Sequence, residues 1–206
     1  MTATGGTPGS ESRRALERLI GFVNTNDVQA SEDRLRGPDE TRSWLVAEGF
    51  EAGELDHDDW ATIFFREGVR AAAAANNGYG VDADAVAALR GAVDRLGFTV
   101  RVGADAGLEV ASASPAGRAL APLVGALMAA QADGSWARVK ACARDSCRWL
   151  FYDTTRNRSR TWCTNSTCGS REKAKRAYRR QLQRRTPDRS STSNPDADPP
   201  TPDNPR

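Results

Sequence analysis

The four cysteines of this 206-residue chain, Cys142, Cys147, Cys163 and Cys168, all fall within one short stretch. Their spacing is Cys-x4-Cys-x15-Cys-x4-Cys. A pair a few residues apart lets one turn supply two ligands, and the 15-residue gap has room for a chain reversal that brings the second pair to the first. Four thiolates satisfy the tetrahedron that zinc prefers. A disulfide scaffold spreads its cysteines through a small secreted domain. Here they cluster, and the opening residues, MTATGGTPGSESRR, lack the apolar run of a secretory signal, which points to a metal in a reducing, cytoplasmic compartment. The sequence thus predicts one structural Zn2+ on a closed four-cysteine site, ahead of a disulfide pair, an iron–sulfur cluster or free thiols.

The residues around the cysteines are strongly basic. Between Arg138 and Arg185 there are fifteen Lys and Arg against three acids, or +12, while the remaining residues sum to −10 and the whole chain to +2. Opposite blocks of charge on one chain suggest two roles. Within the gap, RWLFYD (148–153) reads as a strand and TTRNRSR as a polar turn. TWC then leads back, so a hairpin across the gap is expected. After Cys168, Ser170 can cap a helix in which Ala174, Tyr178 and Leu182 form a narrow apolar stripe, expected to pack on the hairpin. Arg171, Lys173, Lys175, Arg176, Arg179 and Arg180 cover its other faces, and the turn adds Arg156, Asn157, Arg158 and Arg160. These ten residues are the candidate nucleic-acid contacts.

The chain before the cysteines reads as mainly α with a small β-hairpin, an α+β domain over residues 11–134. It is followed by a small zinc-binding hairpin-plus-helix finger over 136–185. Leu16, Leu19, Ile20 and Val23 recur at helical spacing, and Trp44, Leu45 and Glu48 fall on adjacent turns of a short helix ending near Gly49. In the long helix that follows, Trp60, Ile63, Phe64 and Val69 are expected to be buried. A further helix places Val86, Leu89, Val93 and Leu96 on one side. FTVRV (98–102) and GLEVAS (107–112) read as a hairpin, and Ser114-Pro115 opens a last helix with Pro122 inside it. Residues 1–10 and the proline-rich 186–206 are too poor in apolar side chains to order themselves. The longest apolar run, Ala119 to Ala130, is short of the roughly 20 residues that span a membrane.

The block CARDSCRWLFYDTTRNRSRTWCTNSTCGSREKAKRAYRR resembles the CGNR zinc-finger domain. The resemblance rests on Cys142, Cys147, Leu150 to Asp153, Arg156 to Arg160, Trp162-Cys163 and Cys168-Gly169-x-Arg171. Ser170 stands where the motif has asparagine, and serine caps helices about as well. GFVNTNDV and SWLVAEGF are similar to the ABATE domain that accompanies this finger. The resemblance implies a bacterial, stress-responsive transcription regulator.

The leading expectation is therefore a zinc-dependent regulator that binds duplex DNA, with an N-terminal domain that senses a small molecule or self-associates. Two alternatives use the same basic finger. One is RNA binding, with Trp149, Phe151, Tyr152 and Trp162 stacking bases. The other is an acidic protein partner. No enzyme is expected: there is no phosphate loop, nucleophile elbow or histidine pair. The lone His57 and the acids Asp56, Asp58 and Asp59 read as a helix start.

Overall fold

The computed structural model describes residues 10–53, 55 and 60–185. The expected disorder of 1–9 and 186–206, and the readings of Asp56, His57, Asp58 and Asp59, lie outside the described residues. Ser10 already belongs to the first helix.

That helix, α1 (Ser10–Val23), buries Leu16, Leu19, Phe22 and Val23. A two-residue ladder follows, β1 (Asn26–Asp27) against β2 (Glu32–Asp33), in a stretch whose polar sequence reads only as turns. Helix α2 (Pro38–Ala47) begins on proline, which needs no N–H there, and the chain leaves it through Gly49 at φ 76°. Helix α3 (Trp60–Ala75) packs on α4 (Ala83–Leu96). Their close approach depends on Gly68, where a Cβ would lie 2.6 Å from the Cβ of Leu89. Asp82 caps α4 by accepting from the Asp84 and Ala85 amides, and Gly97 closes it in the left-handed region. Strands β3 (Phe98–Val102) and β4 (Leu108–Ser112) form an antiparallel hairpin with Val100 opposite Val110. Helix α5 (Pro115–Ala132) starts on the Ser114 cap and packs against α1. A single 3-10 turn, Ser135–Arg138, then leads into β5 (Val139–Ala141), which pairs antiparallel with β6 (Leu150–Tyr152). A wide turn, Asn165–Gly169, precedes the last helix, α6 (Ser170–Arg185).

The helix-rich domain with its small hairpin and a finger of clustered cysteines agrees with the fold class expected from the sequence. Three details differ. First, α3 is rotated from its expected phase. Val69 is buried as expected, but Trp60 and Phe64 are each 45% exposed, while Phe65 and Ala73 are buried together with Arg66 and Arg70. The arginines explain this. Arg66 forks onto both carboxylate oxygens of Asp33 at 2.7 and 2.6 Å and also reaches Glu67, and Arg70 bonds Glu67 and the Val23 and Asn26 carbonyls. A buried guanidinium is tolerated when its donors are met this fully. Burial raises the carboxyls of Asp33 and Glu67, but the arginine bonds and charges outweigh it and hold both below their ordinary values. Helix α4 shows a smaller version of the same shift: Ala92 and Leu96 are buried, and Val86 and Val93 are more than a third exposed.

Second, β6 pairs with β5, upstream of the first cysteine, and not with the segment returning through Trp162. Third, the hydrophobic core of the helical part continues past residue 134 into the cysteine region. Val139, Ala141 and Leu150 belong to the same buried cluster as Leu19, Phe22 and Leu120. The first compact unit extends to Gly169, and α6 belongs to a second that begins at Ser170.

Candidate metal centre

The first pair of cysteines stands on the end of the β5–β6 ladder. The Cys142 amide donates to the Trp149 carbonyl at 2.9 Å, which extends the pairing by one step. The chain then turns tightly, with the Cys147 and Arg148 amides both donating to the Arg144 carbonyl. Arg148 takes a positive φ of 53° at the turn's exit. The second pair brackets the wide turn, where the Gly169 amide closes onto the Thr164 carbonyl at 3.1 Å. The Ala143 amide, bonded to the Thr161 carbonyl, holds the returning chain beside the first turn.

These connections bring four sulfurs from two turns to one point. Cys147 and Cys163 lie 3.7 Å apart, Cys163 and Cys168 also 3.7 Å, and all four ligand atoms lie within 4.8 Å of one another. A tetrahedron of thiolates at about 2.3 Å from its centre has edges of about 3.8 Å, so the spacing fits a four-coordinate metal. Cys142, Cys147 and Cys168 are buried and Cys163 is half-buried; none is in a disulfide. Thiols this close do not ionise independently. A hydrogen bond from Cys147 outweighs burial and brings Cys142 down to about 5. The same bond and burial push Cys147 up, and burial with the Cys142 charge pushes Cys163 up to about 11. A central divalent cation removes that conflict, because it favours all four thiolates together. Four thiolates complete a tetrahedral donor set for such a cation.

Two groups of residues that the sequence reading passed over hold this centre. Beneath the loop, Asp153 is fully buried and accepts from Lys140 Nζ at 2.9 Å, from the Thr155 hydroxyl and amide, and from the Arg160 amide. Lys140, itself 4% exposed, gives its remaining protons to the Arg158 and Arg160 carbonyls. Burial raises the Asp153 carboxyl, yet the Thr155 and Lys140 bonds outweigh it and lower the group to about 2. The second group comes from the helical side. The Asn24 side chain both donates to the Leu150 carbonyl and accepts from its amide, as a neighbouring strand would. Asn76 donates to the Trp136 and Val139 carbonyls, and Asn77 to those of Ala141 and Thr161. Arg70 reaches the Arg148 carbonyl and Tyr79 that of Ala143. In the sequence these asparagines look like turn residues, which is also where they sit; their partners lie 60 or more positions away.

The candidate nucleic-acid contacts separate into two kinds. Arg156, Asn157 and Arg158 are exposed on the loop, and Arg171, Lys173, Lys175, Arg176, Arg179 and Arg180 are exposed on α6. Arg160 is different: it is half-buried and engaged within the finger. Its guanidinium donates to the Trp162 and Cys163 carbonyls and lies over the Phe151 ring, 4.7 Å from the centroid, so it braces the second cysteine pair from inside. The stripe on α6 is also not buried as expected: Ala174 is exposed, Tyr178 is 62% exposed and Leu182 45%.

A helical unit whose core continues into a four-cysteine hairpin defines a metal-binding protein of the zinc-finger class. Comparison with family models is consistent with this: residues 138–181 match the CGNR zinc finger, and residues 17–141 match ABATE, described as "Putative stress-induced transcription regulator". The chain belongs to the ABATE family and carries a CGNR zinc finger. The two matches overlap on β5, the strand that joins the helical core to the cysteines. No curated protein matches the chain significantly. Among the described residues no helix is long and apolar enough to cross a membrane.

Proposed function

We propose that this protein is a cytoplasmic transcription regulator, without catalytic activity, that grips duplex DNA through α6 and the 156–158 loop. The four cysteines hold one Zn2+, whose contribution is to fix the fold of the finger. The single observation that supports the reading is α6. Eight of its sixteen residues are Lys or Arg and one is acidic. Every side chain described on it is exposed except the half-buried Glu172, and among the described residues no ion pair involves its cations. Like charges recur at four-residue spacing, as in Arg171–Lys175–Arg179 and Arg176–Arg180, an arrangement that destabilises an isolated helix. Phosphates relieve that repulsion and release counterions on binding. Four thiolates with one Zn2+ contribute −2, so the basic block still carries about +10.

The aromatic residues favour this reading over RNA. Phe151 is buried with its face covered by Arg160, Arg13 covers Tyr152, and Trp149 and Trp162 pack within the finger's own core. Among the described aromatic side chains of residues 138–185 only Tyr178 is exposed, whereas single-strand readers stack successive bases on several rings.

The test is fluorescence anisotropy of the zinc-loaded full chain on duplex DNA at rising salt. Six phosphate contacts predict a log–log slope of about −5. Reversing Lys175, Arg176, Arg179 and Arg180 to glutamate should weaken binding about 100-fold or more. Unchanged affinity, or stronger binding to single-stranded RNA at the same salt, overturns the proposal.

A further inference from the structure

The β3–β4 hairpin carries a surface that neither the metal centre nor the basic helix uses. Side chains alternate along its strands. Phe98, Val100 and Val102 share a face with Leu108 and Val110, while Arg101 and Glu109 stand opposite each other on the other face. Only the base of the apolar face is covered, where Phe98 packs against the main core. Towards the tip Val100 is 63% exposed, Val102 66% and Leu108 78%. Among the described residues the hairpin pairs with no third strand. A free edge beside exposed apolar residues is a template for association.

Alongside lies an open groove of about 600 Å³ between the hairpin and α5. Ala121, Pro122, Gly125 and Met128 form its helical wall, with Pro122, Gly125 and Met128 at three-residue steps. Met128 is 52% exposed. Pro122 has no N–H, so the Arg118 carbonyl lacks its ordinary helical donor at this wall. The rim is charged with both signs: Arg101 and Arg118 stand with Glu109, and the exposed Arg101–Glu109 pair is 2.8 Å long.

We propose that this surface is the contact between two copies of the chain, related by a two-fold axis, with the hairpin tip of each, at Leu108, entering the other's groove. Two features select a second copy over an unrelated partner. Leu108, with Val100 and Val110, forms the hairpin wall of the same groove that Met128 flanks on α5, so one surface offers both a protruding apolar edge and a recess, as a two-fold contact requires. The rim carries cations and an anion together, so each copy offers the other a complementary charge: Arg101 or Arg118 faces the partner's Glu109. A surface of one sign would repel its own copy. The proposal is independent of nucleic-acid binding, since none of these residues lies on α6 or in the 156–158 loop.

Sedimentation velocity on the zinc-loaded full chain at rising concentration reads the result. The expected finding is a concentration-dependent dimer whose dissociation constant rises at least tenfold in Leu108→Asp. Helical content should not change, because this side chain is exposed. Arg101→Glu and Glu109→Arg should each weaken self-association alone, and an equimolar mixture of the two should restore it, because both cross-copy pairs return in the mixed dimer. The α6 charge-reversed chain should dimerise like the parent, which separates this proposal from the previous one. A monomer at every concentration, a dimer indifferent to Leu108→Asp, or a mixture no tighter than either variant alone overturns it.

Discussion

The finger that the family comparison delimits as one segment is built in two unlike ways. Its first part, through Gly169, shares the hydrophobic core of the helical domain and is tied to it by Asn24, Arg70, Asn76, Asn77 and Tyr79. Its second part, α6, has almost no buried side chain and a dense positive charge. A metal on the four cysteines would stabilise a hairpin that is already part of a larger core. A self-contained finger would need its metal for every element it has.

The largest test of this contrast is metal removal. Chelation, or Cys147→Ser, should lower the thermal midpoint of the helical domain by roughly 10 °C or more, since the hairpin contributes Val139, Ala141 and Leu150 to the shared core. Thermal circular dichroism reads it, and an unchanged midpoint would refute the shared core.

Next in size is Asp153→Asn. It strands the buried Lys140 ammonium without its counter-charge, a loss of about 3–5 kcal/mol in a denaturant titration. The same residue predicts a pH dependence. Its folded pKa of about 2 lies below the ordinary value of 3.8, so ionised Asp153 stabilises the fold above pH 4. That stabilisation is lost as pH falls from about 4 towards 2, and Asp153→Asn should flatten the stability profile across this window.

Asn77→Ala should be milder, because it removes two hydrogen bonds to carbonyls and no charge: about 1–3 kcal/mol of stability. It should also weaken zinc affinity about tenfold or more, measured by competition with a chromophoric chelator, if the helical side truly positions the second cysteine pair. The smallest expected effect sharpens the comparison from the other end. The α6 charge reversal, proposed to weaken DNA binding, should leave the unfolding of the first unit within about 0.5 kcal/mol of the parent.

Local signals account for what could be read in advance. The Ser114-Pro115 start of α5 and the alternation of FTVRV depend on neighbours a few residues away, and both appear where the sequence places them. The four cysteines likewise converge as their spacing predicts. Phase and partner choice were different. A hydrophobic pattern assigns arginine to the solvent side, so the burial of Arg66 and Arg70 could not be anticipated without Asp33, Glu67 and the carbonyls that receive them. Arg160 shares the same ambiguity: in a run of exposed arginines its residue type is identical, and only the Phe151 ring and the Trp162 and Cys163 carbonyls distinguish it. The pairing of β6 with β5, not with the returning chain, follows from the apolar Val139 and Ala141, which place that strand in the helical core.

The sequence by itself determined the chemistry of this protein: four thiolates at metal-binding spacing, a cationic block and a helix-rich remainder. Residue type and short-range spacing set those properties, and they survive any arrangement of the chain. Only the tertiary structure decided which cations are available and where the first unit ends. Those outcomes depend on long-range partners, such as the 126-residue separation between Asn24 and Leu150. A buried polar group is satisfied by whatever the fold brings to it, and no local pattern in the chain records that partner.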